Sequence, residues 1–274
     1  MRATFKDPEL QRSLEENGYA VVNVLDGHDL DQLRKIYEAN PPPDIKTPFY
    51  TTHWSRQESY RRHIDKQVRP IIARKVLPLL DRYKAIMGYF LVKRPHPGSE
   101  IGLHQDWAFV DESKYTGLII WSPLVDVVLK NGSFHIVKMS HKFMDNVRGS
   151  HISCPYDPIE KYINDNYLTE MPLNAGQTMI FDLRLWHYSP PNFSGVARVC
   201  AGITGLPEEA DVLHYYSDKW ESDEIGIYKL DDELLLKFGY GDRPIRLHRL
   251  GTMAKDHSKL TEKQFDEMYA KYNN

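Results

Sequence analysis

Apolar positions fall into two regimes along the chain. The first eighty residues show helical spacing; from Tyr83 onward, short runs of β-branched and aromatic residues recur between turn signals. Asp7-Pro8 predicts a helix start, an acidic cap followed by proline at the first helical position, with Leu10 and Leu14 on one face and Asn17-Gly18 as the stop. Tyr19 to Leu25 predicts a strand. Asp29 then predicts the cap of a second helix carrying Leu30, Leu33 and Tyr37 on one side, and Arg56 to Leu80 a third, which Pro70 should end or kink. Behind Tyr83, strands are predicted over Ala85–Lys93, Gly117–Val128, Ser133–Val137, Gln177–Asp182, Ala197–Gly205 and Val212–Tyr216. That regular recurrence predicts a sandwich or barrel. Asn131-Gly132 reads as a hairpin turn. A long, polar, partly helical insert spans Ser140 to Met171, and Ser258 to Tyr272 forms an amphipathic helix with Leu260, Phe265 and Met268 within reach of one face.

Composition narrows the function classes. Lys and Arg number 35 against 38 Asp and Glu, a net charge of -3 over 274 residues, so no broad basic surface for nucleic acid or anionic membrane is expected. The local basic clusters Arg61-Arg62 and Arg243 to Arg249 read as solvated surface. Two cysteines, Cys154 and Cys200, cannot build a disulfide framework or a cysteine-based zinc site, and they suit a reducing compartment. The N-terminus lacks the apolar core of a signal peptide, and no apolar run approaches the ~18–20 residues of a membrane span. A cytoplasmic globular protein is the expectation.

Candidate chemistry concentrates at Gly102-Leu103-His104-Gln105-Asp106. On an extended chain residues i and i+2 share a face, so the His104 imidazole and the Asp106 carboxylate converge. With a second imidazole they would make the two-histidine, one-carboxylate set that suits iron(II) and leaves neighbouring positions open. A bare His-x-Asp is weak, and a second one, His63-Ile64-Asp65, also occurs. It lies in a helical pattern, where two residues span about 200° of rotation and the side chains diverge. The run from Gly176 through His187, Ser189 and Asn192 to Arg198 reads as strand, histidine, turn, strand. An antiparallel return could bring the Arg198 guanidinium beside His187, placed for a bidentate bond to a carboxylate. His135 and His141 read as structural hydrogen-bonding residues, Asp182 as facing away, His214 as lacking convergent partners and Cys200 as a small buried hydrophobe.

Residues 14–22 (Leu-Glu-Glu-Asn-Gly-Tyr-Ala-Val-Val), Val92-Lys93-Arg94-Pro95, Leu103-His104-Gln105-Asp106, Trp121, Asn131-Gly132-Ser133, Ser140-His141-Lys142 and the His187…Ser189…Asn192…Arg198 run occur in an order and spacing that resembles the phytanoyl-CoA dioxygenase-like branch of the iron(II)/2-oxoglutarate dioxygenases. The resemblance covers most of the chain. It implies a mainly β fold with flanking α, a double-stranded β-helix (a cupin-like jelly-roll barrel) buttressed by N-terminal helices. The whole chain, residues 1–274, would form one domain, with a helical buttress to about residue 82, a core to about 220 and a C-terminal extension. It further implies His104, Asp106 and His187 as iron ligands, and Arg198 on the distal carboxylate of 2-oxoglutarate with Ser189 as hydroxyl partner. Trp121 and Tyr89 would line that pocket.

The implied reaction consumes 2-oxoglutarate and molecular oxygen, releases succinate and carbon dioxide, and hydroxylates a small-molecule substrate. Desaturation, cyclisation or epimerisation with the same cofactors, and a non-catalytic jelly-roll binding protein, are the alternatives. Lys138-Met139 stands where many relatives have Pro-Gly before Ser-His, so the resemblance carries no named substrate. The insert is expected to lie over the metal as a lid, offering Lys142, Arg148, His151, Phe143, Tyr156 and Tyr162 to a polar or anionic substrate with an apolar body, or else to pad the barrel edge.

Overall fold

The computed structural model describes residues 2–237, 241–244 and 247–273. Helix α1 (Pro8–Asn17) starts where the sequence predicts, the Asp7 carboxylate accepting from the N–H groups of Glu9 and Leu10. Strand β1 (Tyr19–Asn23) leads to α2 (Gly27–Ala39), whose cap is Asp26 rather than Asp29. The two acids form a reciprocal capping box, each side chain accepting the other's N–H, which satisfies two donors at once. Asp29 is buried and ion-pairs with Arg74 and Lys75, which fastens α2 to the next helix. After β2 (Phe49–Thr51) comes α3 (Glu58–Val76), which runs through Pro70 without breaking. Pro70 is exposed, so the Lys66 carbonyl that loses its partner faces water. The basic pair divides: Arg62 is a surface residue beside Glu58 and Glu233, whereas Arg61 is buried and donates to the carbonyls of Ser55, Leu236 and Lys237. Of the second cluster, Arg243 and Arg249 pair with Asp218 and Glu224 on the surface, and Arg246 lies outside the described residues.

The strand-rich part comprises β3 (Tyr83–Lys93), β4 (Ile101–His104), β5 (Leu118–Pro123), β6 (Phe134–Val137), α4 (Glu160–Asn166), β7 (Leu168–Met171), β8 (Gln177–Asp182) and β9 (His187–Ser189). It continues through β10 (Arg198–Pro207), β11 (Val212–Tyr216), β12 (Glu224–Leu230), α5 (Leu234–Lys237), β13 (His248–Ala254) and α6 (Glu262–Asn273). A six-stranded antiparallel sheet, ordered β1-β8-β5-β10-β3-β2, lies against a four-stranded one, β4-β9-β6-β7; β11-β12-β13 form a third. This is the double-stranded β-helix, with its two sheets separate rather than hydrogen-bonded into one closed ring.

Alternation along the strands explains why the large sheet is apolar on both faces. Leu118 and Ile120 of β5, Ile180 of β8 and Val199, Ala201 and Ile203 of β10 pack with Leu33, Ile64, Val68 and Ile72 of the helices. Their neighbours Ile119, Trp121, Met179, Phe181 and Cys200 point the other way and meet Phe134 and Ile136 of the small sheet. A strand covered on both sides needs no polar face, hence the unbroken Leu-Ile-Ile-Trp run. Asn131-Gly132 is not a hairpin turn. β5 and β6 belong to different sheets, and these residues end a short 3-10 turn on the crossover between them.

One defect in β3 has a function in the packing. The register against β10 slips between Ile203 and Thr204, leaving Met87 unpaired at φ +53°, a bulge that re-aims its side chain. Asp65 of α3 holds the bulge: one carboxylate oxygen accepts the Gly88 N–H at 2.6 Å and the other pairs with Arg69 at 2.9 Å. A Cβ on Gly88 would lie 2.6 Å from the Arg69 backbone nitrogen, so strand and helix approach only because that side chain is missing. Gly88→Ala and Asp65→Ala are each expected to lower stability by about 1–3 kcal/mol, the first by overpacking and the second by orphaning a buried donor. Urea unfolding measures both, and an unchanged midpoint would show that the contact is slack.

Candidate metal centre and cavity

His104 and His187 are register partners across the β4–β9 pair, with ring centroids 4.1 Å apart. Asp106 follows just beyond the end of β4, and one of its carboxylate oxygens lies 3.8 Å from His187 Nε2. One ligand atom from each of the three residues falls within 4.8 Å of the others, and no other such trio converges among the described residues. Each imidazole Nδ1 donates to a backbone carbonyl two residues earlier, His104 to Gly102 at 2.8 Å and His187 to Leu185 at 2.9 Å. Those bonds fix the ring orientation and leave Nε2 as the basic nitrogen. His187 is clamped between Phe134, stacked at 5.0 Å, and the edge of Phe181 at 5.3 Å. Burial, and then the His104 charge, hold the His187 imidazole well below its ordinary value. Burial pushes the Asp106 carboxyl up, against the pull of His104 and Arg148. Two imidazoles that present Nε2 beside a carboxylate short of counter-charge are a donor set that fits a divalent cation.

Arg198 sits in the same cavity, 3 % exposed. Its guanidinium donates to the Gly132 carbonyl and, at 3.2 Å, to Ser189 Oγ; its Nε has no hydrogen-bond partner, and no carboxylate pairs with it among the described residues. The Trp121 ring lies 5.7 Å from the guanidinium carbon. Ser189 in turn donates to the Gly132 carbonyl at 2.8 Å. That carbonyl is reachable because Gly132 is left-handed at φ +81° and closely packed: a Cβ there would lie 2.5 Å from the Pro190 oxygen and 2.6 Å from Lys93 Cδ. Lys93 is wholly buried, donates to the carbonyls of Ser189 and Pro190, and is pushed down to about 6 by burial and then by Arg198. Arg198 does not reach the site by a hairpin. β9 pairs with β4 and β6 while β10 pairs with β3 and β5, so the chain crosses from one sheet to the other between them. Tyr89 lines the cavity too, its hydroxyl raised by burial and then by the Asp106 charge.

The cavity encloses about 770 Å³. Residues that sequence reading missed complete it: His53 and Trp54 before α3, Trp107 beside Asp106, and His214 and Trp220 behind the core; Arg148 and His151 of the insert, both expected over the metal, line it too. Of the missed residues only Trp107 carried a signal, its adjacency to Asp106; the others arrive through the fold. The remaining titratable residues behave as expected. His63 is exposed and bonds Asn40, while Asp65 is buried against Gly88. His135 and His141 bond the carbonyls of Ser133 and Glu15, and Asp182 holds Arg184. Cys200 is fully buried.

The insert splits in two. Residues 148–152 line the cavity, but Lys142 is exposed, Phe143 and Tyr156 pack on Trp186, and the Tyr162 hydroxyl donates to Asp266 of α6. Arg148 is no free cation: its guanidinium makes a two-pronged bond to Glu112 at 2.5 and 2.6 Å, and its Nε donates to the Asp106 carbonyl at 3.0 Å. Ala108 N–H donates to the Arg148 carbonyl and Asn146 to Gln105, so residues 146–148 brace the segment that carries Asp106. Glu112→Ala should therefore loosen that segment. Hydrogen exchange across residues 105–112 is expected to rise at least tenfold while the helices stay protected; unchanged exchange would mean that the brace does not depend on the ion pair.

Comparison with known proteins fits this architecture. The chain is similar to a curated protein of Dictyostelium discoideum, phytanoyl-CoA dioxygenase domain-containing protein 1 homolog, at 25 % identity over 146 residues, 50 % of this chain; the match spans about half of that relative, 51 %. Among solved structures it shares its fold with SnoK, a non-haem alpha-ketoglutarate-dependent carbocyclase from nogalamycin biosynthesis (TM-score 0.55, 17 % identity, 86 % of this chain and 92 % of that one). It likewise resembles HygX of Streptomyces hygroscopicus, crystallised with nickel, 2-oxoglutarate and hygromycin B (TM-score 0.52, 14 % identity, 74 % and 88 % covered). The model of the phytanoyl-CoA dioxygenase family matches residues 14–200, well over half of the sequence. The chain belongs to the phytanoyl-CoA dioxygenase family, whose cofactors are iron(II), 2-oxoglutarate and molecular oxygen.

Proposed function

We propose that the chain, acting as one catalytic domain, is an iron(II)- and 2-oxoglutarate-dependent oxygenase that hydroxylates an unactivated C–H bond of a small organic molecule. The observation that carries this is the convergence of His104, Asp106 and His187 in one cavity with a buried guanidinium, Arg198, that has no carboxylate partner among the described residues. Held by the three side chains, iron(II) supplies with 2-oxoglutarate and oxygen the oxidising power for the C–H bond, with succinate and carbon dioxide as co-products.

The protein's own residues bind, orient and exclude water. The carbonyls of Gly102 and Leu185 hold the two imidazoles, and Phe134 and Phe181 keep His187 in one rotamer. Arg198 takes the distal carboxylate of 2-oxoglutarate, Ser189 adds a hydroxyl beside it, and Trp121 and Tyr89 wall the co-substrate off from solvent. HygX, crystallised with hygromycin B, supports a small-molecule substrate. SnoK, named a carbocyclase, supports a second reading in which the same cofactor set closes a ring. A purely binding role would leave the complete donor set and Arg198 without a use.

Purified protein with iron(II) is expected to convert 2-oxoglutarate to succinate, and His187→Ala to abolish this together with Ni(II) binding measured by calorimetry. Wild-type-like Ni(II) affinity in that variant would sink the assignment, whereas His63→Ala should leave it unchanged. Arg198→Ala removes a buried, charge-assisted contact and should weaken 2-oxoglutarate binding by about 2–5 kcal/mol, with a far smaller effect on the organic substrate. Equal shifts for both would show Arg198 holding structure instead.

A further inference from the structure

The charges around the cavity do not suit an anionic substrate. Among the described lining residues, the permanent cations are Arg148 and Arg198. Arg148 is 3 % exposed and committed to Glu112 and to the carbonyls of Asp106 and Asn146. Arg198 is reserved for the co-substrate. The acids Glu100 and Asp242 line the same space, and burial keeps His53 and His214 neutral, down to about 3 and about 4. A negatively charged group entering here would lose its hydration and find no unengaged lysine or arginine among the described lining residues to replace it.

Rings dominate instead. Trp107 lies 5.4 Å from His214, and His151 lies 5.5 Å from Trp220, which is 57 % exposed. From the N-terminal part come Phe49 with Trp54 at 5.5 Å and His53 against Tyr89 at 5.1 Å. All eight face the cavity, and such faces favour flat apolar bodies.

We propose that the organic substrate is a ring-bearing molecule without negative charge, held between these two clusters of rings, and that carboxylates, phosphate esters and acyl-CoA thioesters are rejected. The exclusion is a matter of repulsion and desolvation as much as of attraction to the right molecule. It rests on the triad holding iron(II) and Arg198 holding 2-oxoglutarate.

The test loads the full-length protein with Ni(II) and first titrates it with 2-oxoglutarate. At saturating 2-oxoglutarate, 2-naphthalenemethanol, 2-naphthylmethylamine, 2-naphthoate and benzoyl-CoA are then added in separate calorimetric titrations. Failure of the 2-oxoglutarate titration overturns the cofactor reading, independently of the four organic probes. The alcohol and the amine are expected to bind at least tenfold more tightly than the naphthoate and the thioester. Trp220→Ala should weaken the alcohol at least fivefold with 2-oxoglutarate affinity unchanged. Naphthoate or thioester binding as tight as that of the alcohol overturns the proposal, as does failure of all four probes to bind.

Discussion

Much of this molecule depends on the pairing of two short strands. β4 and β9 have four and three residues, and between them they set His104 opposite His187. Strands this short do not hold a register by themselves. β9 is held from its other side by β6, and the aromatic contacts of Phe134 and Phe181 on His187 join the small sheet to the large one. The large sheet is in turn anchored by helices on its outer face. A one-residue slip in β4 would turn the imidazole away from its partner. The two-sided burial of the large sheet therefore stabilises the geometry of three side chains that it does not itself carry.

Around that pairing, two kinds of constraint act on backbone rather than on side chains. Gly132 and Lys93 shape the 189–190 turn so that one carbonyl receives both Ser189 and Arg198. Arg148, Glu112 and the carbonyl of Asp106 tie the stretch after β4 to the insert. In both cases a buried basic side chain, Lys93 or Arg148, is consumed by main-chain oxygens or by a paired acid, so the cavity has few charges despite many polar residues at its edges.

How much of this was legible in the sequence depended on whether the signal was local. His104 and Asp106 could be read because a period of two needs only three residues, and the His63–Asp65 pair could be rejected by the same geometry on a helix. α1 was legible through its cap and its glycine. Asp29 was misplaced because two acids three residues apart each look like a cap, and only the reciprocal bonds tell which one is. Asn131-Gly132 misled because the dipeptide reports a left-handed turn but not which sheet the next strand joins. Arg61 was beyond reach: a charge run reads as solvated surface unless the tertiary partner is known, and that partner lies 175 residues away; Arg148 was read as a substrate contact because nothing local points to Glu112, 36 residues earlier. The aromatic clusters were invisible for the same reason, being assembled from segments as distant as Phe49 and Trp220.

The cavity's construction separates two jobs that could have been fused. The triad stands on paired β-strands and the stretch just after one of them, while a large share of the remaining wall comes from residues 148–154 and from 220 onward, outside the two main sheets. With Arg148 kept in place to brace Asp106, exchange of the other outer residues would alter which molecules are admitted while the three ligand side chains keep their supports. A chain built this way can change its diet while keeping its tool, and grafting 149–154 and the post-220 stretch between relatives is the natural unit of redesign.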